Sequence, residues 1–372
     1  MTAPQAEAVI DLDTYRRNLE LLRAVAPTAQ QLAVVKADAY GHGLAPVARA
    51  ARDAGAEWLG VATLGEALAL REAGDVGPVL CWLNAPGADY AAAHAAGIEV
   101  TASSAEQLAE VLAAAPGRVR VQLKVDTGLS RNGARGRQWD ELVAAAAAAV
   151  AAGRLEVGGT WSHLACADDP DHPANAAQRA AYDAAIETVR AAGLEPGLRH
   201  LANSAATIVR PDVHLDLVRV GIASYGLSPG DGVRLPEGVR PVMTLRAQAA
   251  AVKRVPAGAG VSYGHTYVTD RETTLVDVPV GYADGILRTS SGRAEAAVGG
   301  RRVPVAGVVC MDQLVLDVGD LAAERGDVVH LFGPGDHGEP TADDWGRAAG
   351  TIGYEVVTRL GGRVVRSHRG GR

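Results

Sequence analysis

A lysine at the end of an apolar segment is the first residue in this chain that suggests chemistry. Gln31 to Val35 is short and apolar with two adjacent valines, which is typical of a strand buried on both faces, and Lys36 follows it directly. Two glycines in the segment from Tyr40 to Gly43 then favour a break in regular structure. A buried amine must reach water, a charged partner or a covalent adduct. Two interpretations follow: a lysine whose stem extends to the surface, or a Schiff-base lysine made nucleophilic by desolvation.

Polar residues also follow several other apolar segments that we interpret as strands. These residues are Lys124, Asp126, Thr127, Gly128 and Arg131 after the fifth segment, His163 after the sixth, His200, Asn203 and Ser204 at the end of the seventh, and Arg219, Gly221 and Ile222 at the end of the eighth. The carboxyl ends of parallel barrel strands meet on one face, where barrel enzymes place their active sites. The pattern therefore predicts an active site rather than scattered surface charge.

The elements that would position these residues alternate regularly. Eight strand-like segments alternate with helical segments over about the first 220 residues, which predicts an α/β fold with an N-terminal (β/α)8 TIM-type barrel. An open doubly wound sheet would require a glycine-rich phosphate turn where Lys36 stands. Two helix starts carry a capping-box pattern, Thr63 with Glu66 and Ser103 with Glu106.

The pattern changes from Val242 onward. Helical periodicity fades, and strand-like segments such as Arg302 to Met311, Gln313 to Val318 and Asp327 to Phe332 are separated by glycine turns. These features predict a mostly β C-terminal domain, with one helix after Thr341. The segment 229–241 is rich in Gly, Pro and charge and is the predicted linker. We divide the chain into a barrel over residues 1–238 and a β domain over residues 239–372.

Composition limits the classes of function. The chain has 372 residues, more than one typical core, and its 36 Lys and Arg against 43 Asp and Glu argue against a surface for nucleic acid or anionic membrane. There is no apolar run of membrane-spanning length, and the segment from Met1 to Gln5 lacks the features of a secretory signal. Cys81, Cys166 and Cys310 are odd in number and lack metal-ligand spacing, so we expect free thiols, a cytoplasmic location and no metal.

The segment from Val34 to Gly43, Val-Val-Lys-Ala-Asp-Ala-Tyr-Gly-His-Gly, resembles the pyridoxal-phosphate lysine motif of alanine racemases. Further segments resemble that family in order along roughly residues 30 to 355: Leu123–Arg131, Trp161–Asp168, His200–Ser204, Arg219–Gly226, Val261–Tyr267, Gly281–Gly285, Cys310–Gln313 and Thr351–Glu355. The resemblance also implies a barrel followed by a β domain, and implies that about the first 12 residues can join the β domain.

The resemblance implies pyridoxal 5'-phosphate as cofactor and assigns residues to it. Lys36 would hold the cofactor, Arg131 would bond its phenolic oxygen and the substrate carboxylate, and Arg219 would face the pyridine nitrogen. The remaining implied cofactor-binding residues are Tyr40, Ser204, Gly221, Ile222 and Tyr354 at the phosphate, His163 stacked on the ring, His200 supporting Arg219, and Asn203 in the segment that carries Ser204.

The resemblance also implies the reaction, interconversion of L-alanine and D-alanine through an external aldimine, supplying D-alanine for peptidoglycan. Lys36 and Tyr263 would be the two bases on opposite faces, with Tyr263 supplied by the partner subunit of a homodimer. Met311 would bind the substrate carboxylate through its backbone amide, and Lys124 is a candidate for carbamylation. The residues implied at the entrance are Asp168, Tyr282, Arg288 and Ile352.

Each of these residues also has a structural interpretation. Arg131 could be a surface arginine, His163 a core histidine, Ser204 a helix N-cap, Arg219 a partner of Asp216, and Tyr263 a packed edge-strand residue.

Three rival functions remain open. A decarboxylase of the ornithine or diaminopimelate type would require an acidic partner for the pyridine nitrogen, where Arg219 stands. A metal-dependent barrel hydrolase could use His163, Asp168, Asp169 and His172 with a carbamylated Lys124, but would normally require paired histidines after the first strand. A non-catalytic pyridoxal-phosphate carrier would not need Tyr263 and its domain.

Overall fold

The computed structural model describes residues 4–371, so Met1 to Ala3, which form part of the segment predicted not to be a signal, and Arg372 lie outside the described residues. The strands are β1 (Ala6–Asp11), β2 (Gln30–Val34), β3 (Trp58–Val61), β4 (Val79–Cys81), β5 (Glu99–Ala102), β6 (Val119–Lys124), β7 (Leu155–Trp161), β8 (Leu198–His200), β9 (Leu217–Val220), β10 (Met243–Gln248), β11 (Ala251–Val255), β12 (Gly260–Val261), β13 (Tyr267–Val268), β14 (Thr273–Val278), β15 (Glu295–Val298), β16 (Arg301–Pro304), β17 (Leu314–Gly319), β18 (Val328–Phe332) and β19 (Val365–Arg369). The helical segments are α1 (Leu12–Val25), α2 (Lys36–Gly41), α3 (Leu44–Asp53), α4 (Leu64–Glu72), α5 (Tyr90–Ala95), α6 (Ala105–Ala114), α7 (Arg137–Ala151), α8 (Pro173–Ala191), α9 (Ser204–Val209), α10 (Ala342–Ala349) and α11 (Gly353–Thr358). Short 3-10 turns lie at Pro211–Val213, Ile222–Tyr225, Tyr263–His265, Tyr282–Asp284 and Arg288–Ser290.

The eight strands β2 to β9 form the predicted parallel barrel. Their order around the sheet is β8-β7-β6-β5-β4-β3-β2-β9, and every pairing is parallel. Backbone hydrogen bonds from Asp216 N to Arg199 O and from Arg219 N to Ala202 O bridge the seam between β8 and β9. Apolar strands such as β3, β4 and β9 are buried throughout because crossover helices cover the outside and side chains fill the inside. The fold prediction is confirmed.

The two predicted capping boxes have different outcomes. Thr63 and Glu66 form the box at the start of α4, as predicted. The prediction for Ser103 and Glu106 is wrong by one residue: Ser104 accepts from Gln107 N, while the Gln107 side chain accepts from Ser103 N at 2.8 Å. Ser104 still has an extended backbone (φ −157°, ψ 161°), so α6 begins at Ala105 and Ser104 is the residue placed to cap it.

The C-terminal region is mostly β, as predicted. It contains a six-stranded sheet ordered β16-β15-β18-β10-β1-β19, a three-stranded sheet ordered β11-β14-β17 and the ribbon of β12 and β13. The N-terminal strand β1 lies inside the six-stranded sheet, antiparallel to β10 and parallel to β19. Both ends of the described chain therefore meet in this sheet.

Two predictions for this region are wrong. The predicted strand from Arg302 to Met311 ends at Pro304, because the following segment turns at Gly307 (φ 77°) and packs against the backbone of Val261. Two helices, α10 and α11, follow Thr341 instead of one, because Gly350 in a left-handed conformation ends α10.

The β domain contacts the barrel beside the end of β2. Arg366 Nε donates to Gly41 O at 2.7 Å, His368 Nε2 lies 2.8 Å from His42 O, and the ring of Tyr354 lies 6.3 Å from that of Tyr40. The loop that follows Lys36 is thus held between the two domains. All three cysteines are free, as predicted. No helix within residues 4–371 is long and apolar enough to cross a membrane.

Candidate active site

The backbone after Lys36 has an unusual conformation. Ala37, Asp38, Ala39 and Tyr40 all have φ of 53–54°, which makes a left-handed helical turn of four non-glycine residues. This conformation costs about 1–2 kcal/mol for each L-residue, so the surrounding contacts must stabilise it. The Asp38 carboxylate accepts from Leu44 N at 2.7 Å, and Glu66 accepts from Ala37 N at 2.6 Å. The turn brings the side chains of Lys36 and Tyr40 to the same cavity.

That cavity lies at the carboxyl ends of the barrel strands and has a volume of about 270 Å³. Many residues singled out from the sequence line it: Lys36, Tyr40, Lys124, Arg131, His163, Asp168, Asn203, Ser204, Arg219, Gly221, Ile222 and Tyr354. The sequence analysis missed the other lining residues, Val34, Trp82, Trp161, Ala205 and Pro229. The tryptophans follow β4 or end β7, so their position at strand ends was the signal that could have revealed them.

The cavity contains two lysines with weakened basicity. Burial, with a further contribution from the charge of Arg131, lowers the pKa of Lys36, and Glu66 partly opposes this shift. Lys124 is buried with its Nζ 4.4 Å from the centre of the Trp161 ring. Burial, followed by the charges of Arg219 and Arg131, lowers the pKa of Lys124 to about 7. Both amines therefore have a larger neutral, nucleophilic fraction than exposed lysines.

A closed loop carries Arg131 into the cavity. Asp126 Oδ1 accepts from the backbone N–H groups of Gly128 and Ser130, both at 3.0 Å. Ala134 N donates to Lys124 O at 3.0 Å, which closes the base of the loop. These backbone contacts hold Arg131 in place, although its guanidinium has no hydrogen-bond partner among the described residues. Its charge is therefore free for an anionic ligand.

Arg219 forms part of the cavity wall and has no carboxylate partner among the described residues. Its Nη2 donates to Ser162 O at 2.8 Å and to Leu201 O at 3.1 Å, and its Nη1 donates to His200 Nδ1 at 3.0 Å. Asp216, the alternative partner considered from the sequence, binds Arg199 at 2.8 Å instead. Burial lowers the pKa of Arg219 to about 9, so the guanidinium remains protonated at neutral pH.

The histidine next to Arg219 is neutral. His163 Nδ1 lies 3.3 Å from Arg219 Nη2, and a protonated Nδ1 would place an N–H against this donor-only guanidinium. Burial and then the charge of Arg219 lower the pKa of His163 well below its ordinary value. A neutral imidazole is suited to stacking on a ring rather than to pairing with an anion.

Another part of the cavity wall is formed by small residues and hydroxyl groups. Ser204 Oγ accepts from Gly221 N at 2.8 Å, and the N-cap of α9 is Asn203, which accepts from Ala206 N at 3.0 Å. A Cβ on Gly221 would lie 2.5 Å from the Tyr40 hydroxyl, so only glycine allows Tyr40 this approach. The Gly221 N–H already binds Ser204, while the N–H of Ile222 has no partner among the described residues.

The remaining predicted residues do not line this cavity. Tyr263, Tyr282, Met311 and Ile352 have exposed fractions of 74%, 41%, 52% and 58%. Tyr263 lies on a separate cavity of about 490 Å³ in the β domain. Tyr282 N donates to Cys310 O at 3.0 Å, and Ser262 Oγ binds Cys310 Sγ at 3.4 Å. Because Ser262 precedes Tyr263 and Cys310 precedes Met311, the turns that carry Tyr263, Tyr282 and Met311 lie next to one another. Arg288 is exposed in its own 3-10 turn, and His200 lies behind Arg219.

The residues suggested for a metal-dependent hydrolase do not form a metal site. His172 Nδ1 instead accepts from Ala174 N and caps α8. Within residues 4–371, no group of three or more His, Cys, Asp or Glu residues is placed to hold a metal ion.

Comparisons with known proteins cover nearly the whole chain. The family model described as "Alanine racemase, N-terminal domain" matches residues 10–229, and "Alanine racemase, C-terminal domain" matches residues 242–368. Curated relatives named alanine racemase include one from Frankia casuarinae, 57% identical over 97% of this chain and 95% of that protein, and one from Thermobifida fusca, 54% identical over 98% of each.

Solved structures give the same result. An alanine racemase from D-cycloserine-producing Streptomyces lavendulae superimposes with a TM-score of 0.96 at 51% identity, covering 100% of this chain and 99% of that one. An alanine racemase from Bacillus anthracis with bound L-Ala-P superimposes with a TM-score of 0.90 at 33% identity, covering 99% and 96%.

Proposed function

Because the chain belongs to the alanine racemase family, a family of isomerases, we propose that it interconverts L-alanine and D-alanine with pyridoxal 5'-phosphate held at Lys36. One observation carries this proposal. The Lys36 amine and the Arg219 guanidinium, which pairs with no carboxylate of the described residues, line one cavity of about 270 Å³. The domain boundary between residues 238 and 239 remains a prediction. The cytoplasmic location also remains a prediction.

The residues of the cavity fit a phosphorylated aromatic cofactor. Tyr40, Ser204, Ile222 and Tyr354 all line the cavity, and a Cβ on Gly221 would lie 2.5 Å from the Tyr40 hydroxyl. These groups would bind the phosphate of the cofactor. His163 would stack on the ring, and Arg131 would bind its phenolic oxygen and the substrate carboxylate. Asn203 would support this end by capping α9.

When bound, the cofactor supplies an electron sink that weakens the Cα–H bond of an attached amino acid. Arg219 determines how strong that sink becomes. A guanidinium that remains protonated can donate a hydrogen bond to the pyridine nitrogen but does not transfer its proton, whereas a carboxylic acid could. Negative charge therefore stays near Cα, and reprotonation there is favoured over loss of the amino group.

Racemisation requires one base on each face of the reacting carbon. Lys36 Nζ supplies one, because burial lowers its pKa toward the working range. Tyr263 is exposed and lies on a different cavity of the same chain, which supports a Tyr263 contributed to Lys36 by a second copy. Tyr263 of the partner subunit would take the Cα proton of L-alanine, and Lys36 would deliver a proton to the opposite face. Lys36 would be the base in the reverse direction.

The same homodimer would complete the substrate site. Tyr282 and Met311 lie on turns next to the turn of Tyr263, so one docked β-domain face would bring all three to the neighbouring cavity. The Met311 amide would bind the substrate carboxylate, and Asp168, Tyr282, Arg288 and Ile352 would line the entrance. D-alanine made in this way would supply peptidoglycan.

Lys124 is the proposed site of carbamylation. Its pKa of about 7 makes the amine largely neutral above that pH, and two arginines are close enough to lower the pKa further than burial alone. Nζ would attack the carbon of CO2, an N–C bond would form and one proton would leave to water. The resulting anion would orient Arg131 through charge-assisted hydrogen bonds.

Deuterium exchange tests the proposed reaction directly. The protein loaded with pyridoxal phosphate is incubated with L-alanine in D2O, while polarimetry follows optical rotation and proton NMR follows the Cα signal. We expect rotation to decay to zero as the Cα proton is replaced by deuterium. Retained rotation without exchange, release of CO2 or loss of activity on chelation would contradict the proposal and favour a carrier, a decarboxylase or a metal-dependent enzyme respectively.

A further inference from the structure

A line of hydrogen-bonded side chains runs through the barrel interior from Arg219 to the opposite end of the barrel. Arg219 Nη1 donates to His200 Nδ1 at 3.0 Å, and His200 Nε2 lies 2.8 Å from Gln122 Oε1. Gln122 Nε2 donates to Glu99 Oε2 at 2.8 Å, and Glu99 Oε1 pairs with Arg120 Nε at 3.0 Å. His200 and Gln122 are completely buried, and Glu99 is 8% exposed. We call these five residues the barrel relay.

Only one assignment of hydrogen-bond donors and acceptors satisfies every residue of the barrel relay. A guanidinium can only donate, so Arg219 requires an unprotonated Nδ1 on His200. A carboxylate can only accept, so Glu99 requires the amide nitrogen, and not the amide oxygen, of Gln122. The Gln122 oxygen then faces His200 and accepts from a protonated Nε2. Both ends of the relay thus specify a neutral His200 with its hydrogen on Nε2.

The strand between the two halves of the relay carries glycines where the relay passes. His200 lies on β8 and Gln122 on β6, with β7 between them. A Cβ on Gly159 would lie 3.1 Å from Gln122 Oε1, and a Cβ on Gly158 would lie 2.6 Å from Glu99 Oε2. A side chain at either position would displace the relay. The Trp161 ring, stacked on His200 at 5.4 Å and 8°, fixes the plane of the imidazole.

We propose that Glu99, at the end of the barrel opposite the cavity, is a positioning residue that fixes the Gln122 amide and the His200 tautomer and thereby the Arg219 guanidinium. A flipped Gln122 amide would point N–H groups at His200 Nε2 and force the hydrogen onto Nδ1, against an N–H of Arg219. Arg219 would then lose an acceptor and rotate from its present plane. The ionised Glu99 carboxylate excludes this arrangement.

The consequence for catalysis rests on the proposed function. If Arg219 faces the pyridine nitrogen, a fixed guanidinium plane keeps one N–H aimed at that nitrogen. The tautomer itself requires no cofactor, because every atom of the relay belongs to the chain. The two claims can therefore fail independently.

Nitrogen NMR of cofactor-free protein labelled with 15N-histidine tests the tautomer. Spectra are recorded at about pH 8, because burial raises the pKa of Glu99 above the ordinary 4.5 and the relay requires the carboxylate form. A His200→Gln variant identifies the His200 signals. We expect one nitrogen shift typical of N–H at Nε2 and one typical of an unprotonated Nδ1. Two protonated nitrogens, or a hydrogen on Nδ1, would overturn the proposal.

Glu99→Gln removes the charge and retains the shape of the side chain. A residue-99 amide can donate to a flipped Gln122, so the two His200 nitrogen shifts should move toward each other as the second tautomer becomes populated. In the loaded enzyme we expect kcat to fall about tenfold with KM nearly unchanged, as for other partners that orient a functional histidine. The matched control is Glu156→Gln, which removes a charge 3.5 Å from the same Arg120 without touching Gln122.

Gln122→Met provides a second test if Glu99→Gln folds poorly, as judged by circular dichroism. Methionine approximates the size of glutamine but breaks the relay in its centre, so the same nitrogen shifts should change. Unchanged His200 shifts and unchanged kcat in both variants, or equal changes in Glu156→Gln, would overturn the proposal. A wild-type protein with the stated tautomer but without racemisation would instead contradict the proposed function alone.

Discussion

The two parts of the proposed site differ in how completely one chain builds them. On the barrel side, Arg219 is 5% exposed and makes hydrogen bonds at 2.8–3.1 Å to oxygen or nitrogen atoms at the ends of β7 and β8. On the β-domain side, Tyr263 is 74% exposed, and the described residues provide no partner for its hydroxyl. A polar group fixed by burial can act within its own chain, whereas an exposed phenol must be positioned by another surface. This difference is what the proposed function requires, with the cofactor in the barrel and the exposed phenol contributed by a second copy.

The largest expected effect is on the barrel side. Lys36→Ala should lower kcat by more than about 10⁴-fold, because it removes the proposed cofactor attachment and one of the two proposed bases. The chain has only three lysines, Lys36, Lys124 and Lys253, so the attachment can be mapped without ambiguity. Borohydride reduction of the loaded protein followed by peptide mass mapping should label Lys36. A label on Lys253, which lies on β11, would place the cofactor in the wrong domain.

Tyr263→Phe tests the β-domain side. Loss of the phenolic O–H should lower kcat about 100- to 1,000-fold, while the absorbance of bound cofactor remains, because Tyr263 does not line the barrel cavity. Tyr267→Phe is the matched control, because Tyr267 lies on the same ribbon but donates to Asp317 at 2.7 Å within its own chain. If Tyr263→Phe released the cofactor, or if both variants lost equal activity, the contrast between the two sides would be wrong.

Lys124 sharpens the comparison through its pH dependence. Because burial lowers its pKa to about 7, the amine is charged in the unfolded chain and mostly neutral in the folded chain between that value and its ordinary 10.5. The unfolded state then binds more protons, so this group makes the free energy of unfolding rise with pH across that window and contribute no slope below it. Lys124→Met should remove this slope in chemical denaturation.

The carbamate proposal for Lys124 predicts a second signature. With 13C-bicarbonate, a carbamate signal should grow as the pH rises through about 7 and should be absent in Lys124→Met. Racemisation should rise severalfold with bicarbonate in the wild type but not in the variant. An unmodified amine at saturating bicarbonate, detected by intact mass or by NMR, would remove the proposal for this residue.

The smallest effect concerns the support of the exposed face. The buried Asp284 accepts from Gly281 N at 3.0 Å and pairs with Arg363 at 2.8 Å, which shapes the turn of Tyr282. Asp284→Ala leaves these donors unpaired and should lower the free energy of unfolding by about 1–3 kcal/mol. Substitution of the exposed Asp270 by Ala should change it by less than about 0.5 kcal/mol, measured by urea denaturation.

The sequence predicted the elements better than it predicted the contacts between them. Alternating apolar segments predicted the barrel, and the residues after them predicted the cavity, because strand ends in a parallel barrel meet on one face. The left-handed turn from Ala37 to Tyr40 was not predictable, because no local preference favours it and the β domain helps to hold it.

Contacts that depend on exact register were predicted less well. The cap of α6 moved by one residue to Ser104, and the cap of α9 belongs to Asn203 rather than Ser204, because neighbouring Ser and Asn residues compete for the same role. Glu99 and Gln122 stood in apolar segments, and a polar residue inside such a segment was the signal that was overlooked. Only the three-dimensional approach of β5, β6 and β8 reveals what they bind.

Subunit complementation tests the central claim most directly, because neither variant can act alone. Lys36→Ala and Tyr263→Phe proteins are denatured together at equal amounts, refolded with pyridoxal phosphate and assayed for racemisation of alanine. If the site is shared between copies, half of the dimers are mixed and each has one site with both residues intact, so we expect about a quarter of the wild-type activity. If Lys36 and Tyr263 act within one chain, no dimer contains an intact pair, and activity no higher than the sum of the two variants would contradict the account.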